Sequence, residues 1–185
     1  MVEEKELVTA LQTGADKEAA FRELVSQYKE RLYWQIRNMV LDHDDADDVL
    51  QNIFIKIFRN IDSFKGESKL HTWMYRIAAN ESITFLNKKA RQNNVSIENL
   101  KDNAVRKLES DVYFEGEAIQ LVFQKAIATL PERQRLIFTM KYFGDQTFEE
   151  LSEILDTTVG GLKSSYHIAV KKITAYIKTQ NETFV

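Results

Sequence analysis

Apolar residues recur at three- and four-residue spacing along most of this chain, and that rhythm points to α-helix throughout. One proline and six glycines in 185 residues are too few for the many tight turns of an all-β protein. The predicted class is all-α. A first stripe holds Phe21, Leu24, Val25, Tyr28, Leu32 and Ile36. A second begins after Asp42-His43-Asp44-Asp45, where carboxylates cap free amides and favour the helix dipole. It runs through Val49, Leu50, Ile53, Phe54, Ile57, Phe58 and Ile61, a face broad enough for the central helix of a small bundle. A loop from Ser63 to Leu70 contains Gly66, and His71 to about Ala90 reads as a third long helix with Trp73, Ile77, Ile83 and Leu86.

Residues 91–116 lose this periodicity and gather Asn, Asp, Ser and Lys, with a short ordered turn expected at Ser96-Ile97-Glu98-Asn99-Leu100. Helical patterning resumes near Glu117, breaks at Leu130-Pro131 and restarts with Pro131 in a first-turn position. The expected organisation is two small helical domains, 1–91 and 117–185, on a flexible linker, 92–116.

No cysteine is present, which excludes disulfides and thiolate metal sites and fits a reducing compartment. The start, Met1-Val2-Glu3-Glu4-Lys5-Glu6, is acidic and unlike a secretory signal, and no apolar run is long enough to span a bilayer. A cytoplasmic protein without membrane insertion is expected. The net charge of −3 is unevenly spread. Residues 1–55 carry 6 Lys/Arg against 12 Asp/Glu (−6), residues 56–110 carry 11 against 6 (+5), and residues 111–185 carry 8 against 10 (−2). Such asymmetry suggests different partners for different faces.

Three segments carry chemistry. The acidic cluster Asp42, Asp44, Asp45, Asp47 and Asp48 fails as a calcium loop, because its sixth and twelfth positions are Asp47 and Ile53 instead of Gly and Glu. His43-Asp44 has only His71 and His167 to complete a metal cluster, so no metal, cofactor or catalytic residue is assigned. A capped, solvated helix start accounts for Asp44 and Asp45. It accounts less well for Asp47, Asp48, Gln51 and Asn52, an acidic, amide-rich ridge beside Phe54 that suits a basic protein partner.

The second segment runs from Phe64-Lys65-Gly66-Glu67-Ser68-Lys69 to Tyr75-Arg76, with Asn80 one turn on. Cations interleaved with aromatics and hydroxyls suit single-stranded nucleic acid: phosphates meet Lys and Arg, and an unstacked base fits a loop-walled pocket. Lys88, Lys89 and Arg91 extend the positive track. Trp73 and Ile77 are spaced as core residues, so Trp73 is read as packed and not as a stacking platform.

The third segment is C-terminal. Thr147 with Glu150 three residues later matches a capping box, Leu155-Asp156-Thr157-Thr158 makes a turn, and a helix follows from about Val159 to Lys178. From Thr157 to Asn181 the chain carries Lys163, Lys171, Lys172 and Lys178 and no Asp or Glu. Leu162, Tyr166, Ala169 and Ile173 form its inner stripe, leaving Lys163, Ser164, His167 and Lys171 outward. A short helix of one charge sign delivered by a tight turn fits a DNA groove; a helical hairpin without DNA is the plainer alternative. Gly160 and Gly161 cost roughly 1 kcal/mol each within a helix, which fits close backbone approach or a frayed first turn.

Taken together these residues resemble the extracytoplasmic-function group of bacterial RNA polymerase sigma factors. Asp44-Asp45-Ala46-Asp47-Asp48-Val49-Leu50-Gln51-Asn52-Ile53-Phe54 is similar to that family's DAEDLVQETF segment. Phe64-Lys65-Gly66 through Thr72-Trp73-Met74-Tyr75-Arg76-Ile77-Ala78-Ala79-Asn80 is similar to its F+G…TWLYRIARN segment. Leu130-Pro131-Glu132-Arg133-Gln134-Arg135 and Thr147 to Ile173 are similar to its C-terminal LPERQR and helix-turn-helix motifs. The order and spacing match over nearly the whole chain.

The resemblance implies binding without bond chemistry. The N-terminal domain would be sigma region 2, a three- or four-helix bundle, and the C-terminal domain the region 4 helix-turn-helix. Asp47, Asp48, Gln51, Asn52 and Phe54 fall where the family docks on the polymerase β′ clamp helices. Lys65, Ser68, Lys69, Thr72, Tyr75, Arg76 and Asn80 fall where it captures the melted −10 element. Thr158, Lys163, Ser164, Ser165, His167 and Lys171 fall on the reader of the −35 duplex. The polymerase β flap and an anti-sigma protein are further implied partners.

The chain departs from the family in places. Asp156 replaces the usual turn Gly, which Asp tolerates in the left-handed conformation. Ser165, Ile168 and Val170 stand at usually basic positions, which weakens phosphate anchoring and guanine reading. Glu81-Ser82-Ile83-Thr84 replace the usual residues after Asn80. A duplex-binding regulator that never joins polymerase is the rival, and it leaves the ridge and the Lys65–Arg76 segment without a purpose. A metal phosphohydrolase using the Asp cluster is more distant.

Overall fold

The computed structural model describes residues 4–14, 16–108, 118–144 and 146–182, and among these the regular structure is entirely helical. In order they are α1 (Glu4–Thr13), α2 (Lys17–Val40), α3 (His43–Asn60), a 3-10 turn (Ile61–Ser63), α4 (Leu70–Gln92), α5 (Ile97–Lys107), α6 (Ala118–Ala128), α7 (Glu132–Tyr142), α8 (Phe148–Leu155) and α9 (Val159–Glu182). None is long and apolar enough to cross a membrane. The all-α reading holds.

Local chemistry sets the boundaries. Asp16 Oδ1 accepts the amide of Ala19 at 2.9 Å, and Asp42 Oδ1 that of Asp45 at 3.2 Å, so both acidic caps form. Between α2 and α3 the chain turns on Leu41 in the left-handed region, φ 64°. That conformation costs a non-glycine residue roughly 1–2 kcal/mol, which burial of the leucine side chain offsets. Pro131 sits at the N-cap of α7, one residue earlier than expected, and leaves no amide to satisfy.

One helix is new and one expectation is corrected. The N-terminal helix α1 escaped the sequence reading; it buries Leu7 and Leu11 against α2. The segment after residue 91, expected as irregular linker with one short turn, contains α5. Ser96 Oγ accepts the amide of Asn99 at 3.1 Å, and Ala104 and Leu108 pack with Leu41 and Ala128. The rest of the expected linker, 109–116, lies outside the described residues.

α2, α3 and α4 form the N-terminal bundle, while α6, α7 and α9 enclose a smaller core of Ile127, Leu130, Phe138, Ala169 and Ile173. These two parts share a core. Leu136, Ile137 and Met140 of α7, Leu151 and Ile154 of α8 and Leu162 of α9 belong to the same buried cluster as Ile36, Met74 and Tyr75. The seam runs along α2 against α7 and α4 against α8.

Candidate nucleic-acid interface

Lys69 stands at the N-cap of α4 and cannot cap it, since an ammonium has no acceptor. Glu4 does so from α1: its Oε1 accepts the Leu70 amide at 2.8 Å, placing negative charge at the helix N-terminus. Gln12 braces the preceding loop, donating from Nε2 to Ile61 O at 2.9 Å and to Phe64 O at 2.8 Å. Gly66, at φ 72°, supplies the left-handed turn with open space where a Cβ would stand. Phe64 packs on Trp73 with centroids 5.4 Å apart, so the indole is held by the protein, as its spacing indicated.

The loop and the first turns of α4 wall a cavity of about 400 Å³, lined by Ser63, Phe64, Lys65, Glu67, Ser68, Thr72, Trp73 and Arg76, with Glu153 contributed by α8. Lys65, Lys69, Arg76 and Asn80 are exposed, and Ser68 is half-exposed. Thr72 and Tyr75 are not surface groups: they are 4% and 1% exposed, and Tyr75 belongs to the shared core. Thr72 meets the cavity with only a small part of its side chain, while Tyr75 packs inward. Arg76 reaches α8, donating from Nε to Ile154 O at 3.3 Å and from Nη2 to Glu153 O. Lys69 Nζ and His71 Nε2 both meet Glu150 Oε1, at 2.8 and 3.2 Å.

Glu150 also closes the capping box of α8. Its Oε2 accepts the Thr147 amide at 2.9 Å while Thr147 Oγ1 accepts the Glu150 amide at 3.1 Å. Burial pushes its carboxyl upward, but hydrogen bonds from Lys69 and Thr147 and the charge of His71 hold it at about 2.

On α3 the exposed face is Asp48, Gln51, Asn52, Ile55 and Arg59. Asp47 lies on its flank, 3.5 Å from His43 Nε2. Phe54 does not join this ridge; it is 9% exposed and meets Phe21 edge-on at 6.2 Å. The apolar residue on the ridge is Ile55, 49% exposed, which the sequence reading missed. Its exposure follows from its place opposite Ile53 and Ile57 on the helix wheel. Glu81, one of the departures on α4, is paired with Lys56 of α3.

Asp156 takes the left-handed C-cap of α8 at φ 49°, as expected. Thr158 is committed to capping α9, its Oγ1 accepting the Gly161 amide at 3.2 Å. A Cβ on Gly161 would lie 3.1 Å from that oxygen, so close approach within the cap explains this glycine. Lys163, Ser164, His167 and Lys171 are exposed, and Ser165 is half-exposed. Arg133 Nη2 to Thr157 Oγ1 (2.9 Å) and Lys172 Nζ to Gln134 Oε1 (3.0 Å) tie α7 to the turn and to α9.

Comparison with known proteins gives a concordant picture. The family described as Sigma-70 region 2 matches residues 24–92, and Sigma-70 region 4 matches residues 120–173. The ECF RNA polymerase sigma-E factor of Escherichia coli K12 is 32% identical over 167 residues, covering 85% of each chain. Its Haemophilus influenzae counterpart is also 32% identical, over 85% of this chain and 86% of its own. Among solved structures, CnrH in complex with the cytosolic domain of CnrY superposes with a TM-score of 0.70 at 17% identity, over 95% and 97% of the two chains. The sigma factor RpoE of Bartonella quintana, in complex with the anti-sigma factor NepR, gives 0.68 at 21% identity, over 85% and 96%.

Proposed function

The chain belongs to the extracytoplasmic-function group of the sigma-70 family, and we propose how its surfaces divide the work of such a factor. The protein directs RNA polymerase to promoters. In our reading, residues 1–91 grip core polymerase and hold melted −10 strand, residues 117–185 read −35 duplex, and residues 92–116 join the two.

The ridge Asp48, Gln51, Asn52 and Ile55 offers a carboxylate, two amides and an apolar side chain to the β′ clamp helices, with Asp47 beside it. Lys65, Lys69, Arg76 and Asn80 follow the strand backbone, and the cavity beside Trp73 takes an unstacked base. Lys163, Ser164, His167 and Lys171, flanked by Ser165, enter the upstream groove. The work is binding, with no bond made or broken by the protein. The β flap and an anti-sigma protein are proposed further partners; the latter is supported by the solved relative bound to NepR.

One observation carries this reading. The cavity at the start of α4, which Lys65 and Arg76 line together with Glu67 and Glu153, and the acid-free face of α9 are separate surfaces of opposite shape, a pocket and a convex helix, suited to single strand and to duplex. Transcription by core enzyme plus this protein on a random promoter library tests it. Enriched templates should share two boxes, and enrichment of a single duplex box without polymerase dependence would contradict it.

A further inference from the structure

Two of the cations assigned to melted DNA, Lys69 and Arg76, are already engaged by this chain's own acidic helix. α8 is an eight-residue helix, Phe148–Leu155, carrying Glu149, Glu150 and Glu153. Its Glu150 accepts from Lys69 at 2.8 Å and meets His71 at 3.2 Å. Its last carbonyls, on Glu153 and Ile154, accept from the Arg76 guanidinium. A cation at a helix C-terminus meets the negative end of the dipole, much as it meets a phosphate. Glu153 also lines the cavity beside Trp73. The anionic groups of α8 thus lie along the same track as a strand backbone would.

The helices that meet at this seam also bury polar groups. On α2, Gln35 Oε1 and Asn38 Oδ1 are buried without a hydrogen-bond partner among the described residues. On α7, the helix facing α2, Arg135 Nη1 and Thr139 Oγ1 are in the same condition, as are both amide atoms of Gln146 ahead of α8. Buried polar groups left unpaired cost free energy in the helices that bury them. The clasp on Lys69, His71 and Arg76 helps to offset that cost. Meanwhile the ridge on α3 and the outer face of α9 remain exposed in the closed form.

We propose that α8 is an internal stand-in for melted DNA: it docks in cis on Lys69, His71 and Arg76 and keeps the strand-capturing segment shut until the C-terminal helices swing away. The closed chain can still meet core polymerase and duplex, but it excludes single strand. This inference rests on the assignment of Lys65 to Asn80 to the −10 strand.

The test uses the full chain, whose lack of cysteine allows clean paired labelling. Spin labels go on Asn87→Cys of α4 and Thr174→Cys of α9, both at exposed positions. Glu150→Gln removes the charge yet keeps an acceptor for the Thr147 amide, so α8 stays capped. In this variant the label separation should lengthen. Affinity for a short fluorescein-labelled single strand of mixed sequence should rise about fivefold, with duplex affinity unchanged. An unchanged separation overturns the clasp. A longer separation without tighter single-strand binding overturns the inhibition. Lys65→Ala in the Glu150→Gln background tests the underlying assignment on its own: it should weaken single-strand binding, and no effect would remove that assignment while the distances still judge the clasp.

Discussion

The indole of Trp34 lies stacked on the ring of Phe143, with centroids 6.3 Å apart and planes 16° from parallel. Trp34 belongs to α2 and Phe143 ends α7, so this pair joins the two halves of the molecule. Phe143→Ala removes the stack and part of the α7 packing, a loss of roughly 1–3 kcal/mol. Emission from Trp34 should shift to longer wavelength and the melting temperature should fall. Unchanged emission would mean the seam does not depend on the pair.

Neighbours on α3 differ in what they touch. Phe54→Ala should cost about 3–5 kcal/mol of stability, because Phe54 fills the core against Phe21. Ile55→Glu and Asp48→Arg should leave melting within about 0.5 kcal/mol of wild type and weaken core-polymerase affinity tenfold or more. Calorimetry beside a core-binding titration checks both. The reverse pattern would put Phe54 back on the interface.

Gln12 spans two carbonyls that bracket the 3-10 turn before the capture loop. Gln12→Ala leaves both without this donor and should raise protease cleavage around Lys65 and Lys69, with global stability down by about 1 kcal/mol. Cleavage at the wild-type rate would show that the loop is shaped without α1.

The clasp has an acid limit whose sign follows from Glu150. Its folded carboxyl titrates at about 2, below the ordinary 4.5, so its contribution is complete above 4.5 and is lost as pH falls toward 2. Lys69 is raised above 10.5 chiefly by its hydrogen bond to Glu150, and contributes until pH climbs past that value. Facing the pair are His71 of α4, Glu4 of α1 and Glu153 of α8. Wild type should therefore lose its advantage in closed population over Glu150→Gln across the window from 4.5 to about 2, read as the label separation. An advantage that persists at the acid end would contradict the assignment.

Much of this was legible in the sequence for physical reasons that can be named. Asp42, the Thr147–Glu150 box and the Leu162–Ile173 stripe are local patterns, and local patterns survive into the fold. Asp156 in the left-handed region agrees with the tolerance of its short polar side chain for that conformation at a helix end. What escaped depends on partners distant in sequence. Along α5 and its C-cap, Ala104 and Leu108 are sparse apolar residues among polar ones, and packing by Leu41 and Ala128 completes the cluster. Glu150 reads as a capping residue because the second role of its carboxylate comes from Lys69, 81 positions away. Phe54 and Ile55 differ by one step on a broad apolar face, where period alone does not mark the outer edge.

In the proposed division of work, the Lys65–Asn80 segment holds melted strand while the α3 ridge holds polymerase. Lys69→Glu with Arg76→Glu tests it through permanganate reactivity of promoter thymines beside core-polymerase affinity, on a promoter drawn from the library selection. Core affinity within about twofold of wild type, with strand opening reduced about tenfold or more, is the predicted result. Opening at the wild-type level would contradict the claim, as would equal losses in opening and core affinity.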